Sequence, residues 1–125
     1  TMANEEGDKI IFTRIGANDP QFNLRNDPSL IIRRKDKGST LFANVLEIHG
    51  TYSTVTEAPI RSTSLLKGVR VLADTKSYSA VRIDFTEGEP IHLLIANQDN
   101  NKNTKHTLET DGRIFQWKGP YLINQ

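Results

Sequence analysis

With 125 residues, 36% of them hydrophobic and 25% charged, the chain is long enough to bury one core and too apolar to be disordered throughout. Its net charge of +1 excludes a broad electrostatic attraction to nucleic acid or to a membrane surface, and the lack of cysteine excludes disulfides and thiolate metal sites. No signal-peptide pattern or apolar run of membrane-spanning length is present. Thr1 ahead of Met2 reads as a tag remnant on a domain cut from a longer protein.

Taken in order, residues 1–8 are polar and expected to be disordered or tag-derived. Lys9 to Thr13 predicts a short strand. Arg14 to Pro28 carries two Asp-Pro steps, and residues before proline avoid the helical region, so this stretch is expected to be irregular and extended. Ser29 to Arg34 predicts a strand, and Lys35 to Ser39 a turn. Thr40 to Tyr52 (TLFANVLEIHGTY) then stands out. Apolar residues fill both parities of Leu41 to Ile48, which predicts a central strand covered on both faces, and Gly50 frees the backbone to turn. Asn44 and Glu47 need polar partners if they are buried there.

Thr51 to Ser64 reads as a second irregular stretch, and the chain beyond it as a meander. Strands are predicted over Leu65 to Leu72, Tyr78 to Phe85 and Ile91 to Ala96, followed by a polar loop over Asn97 to Asn103. Asp111-Gly112 between two strand-like runs is the signature of a two-residue type I′ turn. That turn fixes the register: Leu108 faces Phe115 and His106 faces Trp117, on one buried face. A last strand covers Tyr121 to Ile123. The pattern predicts an all-β fold, an antiparallel β-sandwich with little or no helix, forming one domain over residues 9–125.

The three histidines, His49, His92 and His106, lie in no metal-ligand spacing, so no metal or cofactor is expected. His106 is expected to pack on Trp117. His92, alternating with Ile91 and Leu93, is expected on the solvent face. His49 follows the central strand and precedes a glycine corner; its ordinary role is to hydrogen-bond that corner, and a site role is the alternative. Glu57 lies in the loop beyond the corner, where functional side chains concentrate, although a solvated carboxylate is the simpler reading. Glu87 and Glu89 read as a solvated turn. Arg33, Arg34, Lys35 and Lys37 form a basic cluster whose two arginines, being adjacent on a strand, point to opposite faces. Sparse aromatics exclude a stacking platform for nucleic acid.

Three stretches in this order, RIGANDPQFNLRNDPSLIIRRK (Arg14 to Lys35), FANVLEIHGTY (Phe42 to Tyr52) with Glu57, and WKGPY (Trp117 to Tyr121), resemble the C-terminal end of heparinase II/III-like polysaccharide lyases, within them the oligoalginate lyases. The resemblance implies a larger parent protein, with an N-terminal α/α toroid and upstream β-sandwich layers. It also implies β-elimination on a uronic-acid polysaccharide, and a periplasmic or secreted location. The family's catalytic tyrosine, asparagine and histidine belong to the toroid and the upstream sandwich, so no catalytic role falls on this chain. What it implies here is support of the toroid, with Glu57 and His49 as the residues that reach substrate. Two rivals stand beside it. A stand-alone carbohydrate-binding module needs an exposed aromatic platform, and an autonomous β-fold enzyme needs His49, Tyr52 and Glu57 gathered in a cleft.

Overall fold

The computed structural model describes residues 1–16, 26–35, 38–48, 50–60 and 62–125, with the backbone alone at 15, 16, 26 and 27. Among these residues every regular element is a β-strand and every ladder is antiparallel, the all-β class expected. The chain divides into two units, Asn4–Ser39 and Thr1–Ala3 with Thr40–Gln125.

The first unit is a hairpin of β1 (Lys9–Gly16) and β2 (Asn26–Arg33). Its strands run further than expected, taking in both ends of the stretch read as irregular. The physical reason is that pre-proline residues are biased to extended conformations, which a strand also uses. In a two-stranded ladder Pro28, opposite Arg14, can leave its missing donor on the open edge. Asp19, Pro20 and the rest of 17–25 lie outside the described residues. Arg33 is exposed while Arg34 turns the other way, donating to Asp8 (2.7 Å) and Glu5 (3.0 Å), so the two arginines do part.

In the second unit a four-stranded sheet has the order β10-β7-β6-β5, with β5 at Leu66–Asp74, β6 at Tyr78–Phe85, β7 at Ile91–Ala96 and β10 at Tyr121–Asn124. β6 and β7 have the predicted limits. β5 is longer and irregular, with register shifts between Leu66 and Gly68 and between Val71 and Ala73. Two small ladders complete the unit. One joins β3 (Thr51–Ser53) to β4 (Ala58–Ile60), inside the stretch read as irregular. The other is the hairpin of β8 (Lys105–Thr110) and β9 (Arg113–Lys118).

That hairpin has the predicted geometry. Asp111 and Gly112 both take positive φ (53° and 69°), as a type I′ turn requires, and His106 pairs with Trp117 and Leu108 with Phe115. Its apolar face lies on the sheet: Phe115 and Trp117 form one buried cluster with Ala80 of β6 and Leu94 of β7, flanked by Leu72, Tyr78, Leu108 and Leu122. Hairpin and sheet thus make two layers with a shared core.

Thr40 to Tyr52 departs from expectation. Among the described residues its extended part is joined to the N-terminal residues, through a bridge of Met2 with Asn44 and hydrogen bonds from Ala3 N–H to Ala43 and from Val45 N–H to Thr1. Residues 1–3 are therefore part of the structure. Exposure alternates along the segment. Leu41, Ala43, Val45 and Glu47 are half-buried, whereas Leu46 is 91% and Ile48 101% exposed. Apolar content on both parities suggested two covered faces, yet Leu46 and Ile48 are exposed. The centre of the unit is instead the β6–β7 pair. Glu47 does find partners, accepting from the Ser64 hydroxyl (2.6 Å) and the Leu65 N–H (2.8 Å).

Because Trp117 is the largest side chain shared by the two layers, Trp117→Ala should cost about 3–5 kcal/mol, the usual range for deleting a buried indole. Urea unfolding of the 125-residue chain followed by circular dichroism measures this directly. A loss below about 1 kcal/mol would mean the hairpin is not docked on the sheet as described.

Candidate functional site

The polar side chains with the most organised surroundings lie where the hairpin meets the sheet. His92 of β7 is only 1% exposed, as buried as Leu94, so the solvent-facing position expected for it is wrong. Inward-pointing residues of β7 are His92, Leu94 and Ala96. The alternation with Ile91 and Leu93 was read on the wrong side because both parities of this strand are apolar. The imidazole ring lies 5.0 Å from the Phe115 ring, and its Nε2 is 3.3 Å from an Asp111 carboxylate oxygen.

Asp111 also accepts a short hydrogen bond from Arg82 of β6, the strand neighbour of His92. Arg82 donates to Asp84 as well (2.7 Å), and Asp84 takes a further bond from Arg70 of β5 (3.2 Å). Three strands and the hairpin turn are thus joined by one alternating chain of charges. The two arginines face each other across the β5–β6 ladder, and like charges so placed repel unless a carboxylate lies between them, as Asp84 does. The bond from Arg82, then that from His92, hold the Asp111 carboxyl below the usual carboxylate range. At Asp84 burial works upward, but the bond and charge of Arg82, with Arg70, bring the net shift down.

A second cluster is aromatic. Tyr78, His106 and Trp117 pack edge-on and tilted with centroids 5.2–5.8 Å apart. The Tyr78 hydroxyl lies 3.4 Å from His106 Nδ1, and His106 Nε2 lies 4.0 Å from Asp99, too far for a hydrogen bond. His92 Nδ1, His106 Nε2 and Trp117 Nε1 are buried without a partner, a cost that a purely structural layer would avoid by using apolar groups. Tyr78, Asp99, Lys105 and His106 line a hollow of about 310 Å³. A Tyr–His–Asp series could in principle relay a proton, but His106 is buried and its link to Asp99 is open, so the arrangement holds the hairpin rather than presenting a base to solvent.

The residues singled out from the sequence lie elsewhere. Glu57 is exposed in the turn between β3 and β4, at positive φ (52°), and Tyr52, paired with Pro59, is exposed too. His49 lies outside the described residues. Among the described residues Tyr52 and Glu57 share a small surface hairpin, and no three His, Cys, Asp or Glu side chains are grouped to hold a metal ion. The charge chain of Arg70, Arg82, Asp84, His92 and Asp111 was missed. No single signal in the sequence joins them: β7 is apolar on both parities, and the tight turn at Asp111 does not say which strands lie beneath it.

Comparison with known proteins places this geometry in context. No protein-family model matches the chain. It is 31% identical over 114 residues, 90% of its length, to a protein named alginate lyase from Stenotrophomonas maltophilia. It is 26% identical over 119 residues, 95% of its length, to one named exo-oligoalginate lyase from Saccharophagus degradans. The chain is thus similar to one region of each of these two proteins. It spans 15% and 16% of the length of these two relatives.

A depressed carboxyl stabilises the fold above its unfolded-state pKa, about 3.9 for Asp, and that contribution is lost as pH falls through the folded value. Asp111→Asn should therefore lower Tm at neutral pH and flatten the acid limb below about pH 4, the variant and the parent curves converging there. Thermal scans across the acid range test this. Parallel curves at all pH values would exclude Asp111 as the group whose charge ties the turn to the sheet.

Proposed function

We propose that this chain is a noncatalytic β-sandwich piece from the C-terminal end of a heparinase II/III-like polysaccharide lyase, one that cleaves alginate or its oligomers by β-elimination. One observation carries the reading: similarity runs over nine-tenths of this chain but over only 15% of a relative named alginate lyase. The greater part of such a protein lies outside the matched region, and it is there that the toroid and the proton-transferring residues belong. The parent is a periplasmic or secreted enzyme whose partner is an acidic polysaccharide.

The bare apolar row supports this. Leu46 and Ile48, with Phe42 and Val55, leave water-exposed surface that a neighbouring domain would cover. In the parent that neighbour is the toroid or the upstream sandwich, and Glu57, in its exposed turn, and His49 are the residues assigned to the substrate cleft. A stand-alone carbohydrate-binding module built on Trp117 is disfavoured, because that indole is buried in the core.

The test compares the 125-residue chain with its full-length parent on oligoalginate, following the absorbance of the unsaturated uronate that β-elimination leaves. The parent should be active and the chain alone inactive. In the parent, Glu57→Ala should lower kcat/KM by about tenfold, equivalent to ~1.4 kcal/mol of transition-state stabilisation. Activity in the isolated chain would reverse the assignment, and an unchanged kcat/KM would remove Glu57 from the cleft.

A further inference from the structure

The outer face of the β8–β9 hairpin carries a feature that the core does not explain. Lys105 and Lys118 are direct partners across the ladder, and both side chains are exposed. Like charges placed directly opposite destabilise a hairpin. The next pair on the same face is Thr107 with Gln116, and a hollow of about 410 Å³ runs along these four residues.

A third lysine joins them. Gly119 takes φ +97°, its N–H donates to the Thr104 carbonyl (2.9 Å), and a Cβ there would meet the Lys102 carbonyl oxygen at 3.5 Å. This close approach seats the Asn-rich loop against the β9–β10 turn. A second hollow of about 330 Å³ results, lined by Lys102, Lys118, Gly119, Pro120 and Tyr121. Lys118 lines both hollows, and the exposed Tyr121 lines the second.

None of the three lysines has a carboxylate within ion-pair distance among the described residues. Asp99 of the same loop lines the hollow of about 310 Å³ with Lys105 without forming an ion pair with it, and accepts from the Asn101 N–H (2.7 Å), which with Thr104 holds its pKa down. In a chain with sixteen basic and fifteen acidic residues, three uncompensated ammonium groups on one small surface are a local concentration, not a reflection of overall charge.

We propose that this face is a binding subsite for an acidic oligosaccharide, with carboxylates of successive sugars seated among Lys102, Lys105 and Lys118. Thr107 and Gln116 supply the neutral donors and acceptors that sugar hydroxyls need. Tyr121 offers an amphipathic ring against which a pyranose face can pack. A polymer with one carboxylate per sugar presents evenly spaced anions to this row of cations, a complementarity that governs specificity and encounter. The choice of sugar rests on the lyase reading above; the anionic character of the ligand rests on the lysines alone.

The experiment is amide chemical-shift mapping of the 125-residue chain titrated with an alginate tetrasaccharide. Cellotetraose serves as the neutral control, and dextran sulfate and a DNA oligonucleotide as unrelated polyanions. Alginate tetrasaccharide should shift amides around Lys102, Lys105, Lys118 and Tyr121, and added salt should weaken the effect. The double variant Lys105→Gln/Lys118→Gln should bind about tenfold more weakly. Tyr121→Ala should bind about threefold more weakly. The lysine variant should keep or raise Tm, since it relieves a like-charge pair, so its loss of binding is not unfolding.

Unperturbed amides at these residues, or unchanged affinity in the variants, would overturn the proposal. So would binding confined to dextran sulfate or DNA. If the parent cleaves oligoalginate and this chain does not bind it, the subsite fails while the lyase reading stands. If binding occurs here but the parent is inactive on alginate, the subsite stands and the lyase reading fails.

Discussion

The tight turn at Asp111 and Gly112 is the constraint on which the larger unit depends. With two residues between the strands, both in the left-handed region, β8 and β9 can pair in one register only. A slip of one residue would turn one strand over relative to the other, placing His106 and Leu108 on the same face as Gln116 and Lys118 instead of Phe115 and Trp117. The turn therefore sets both the apolar layer beneath the hairpin and the cationic face above it. Asp111 also reaches down to Arg82 and His92, so the residue that permits the turn fastens it to the sheet.

The fastening is polar in a place where apolar contact alone would hold the layers together. Charged groups of a partly buried network contribute net stability only when each has a partner, and removing one leaves the others exposed to the cost of burial. Arg82 between Asp84 and Asp111 meets that condition.

Sequence reasoning reached far wherever local chemistry fixed geometry. The type I′ turn, the pairing of His106 with Trp117 and the ends of β6 and β7 follow from turn residues and alternation. It failed where both parities were apolar. In β7 the apolar residues on either side of His92 hid which face was inward, and in Leu41 to Ile48 the same pattern suggested burial that this chain alone does not provide. Pairings between distant segments, such as Met2 with Asn44, leave no periodic trace. Glu57 was legible as a loop residue, but not as the positive-φ corner of a three-residue ladder. The charge chain was illegible because its members come from four elements whose adjacency is decided by the sheet order.

The tilted contact between His106 and Trp117 has a practical consequence. Trp117 is the single tryptophan of the chain, and its ring centroid lies 5.2 Å from the imidazole. An indole's emission responds to the polarity around it. The chain thus carries its own optical reporter at the seam between hairpin and sheet. Emission wavelength follows separation of the layers, with no label attached.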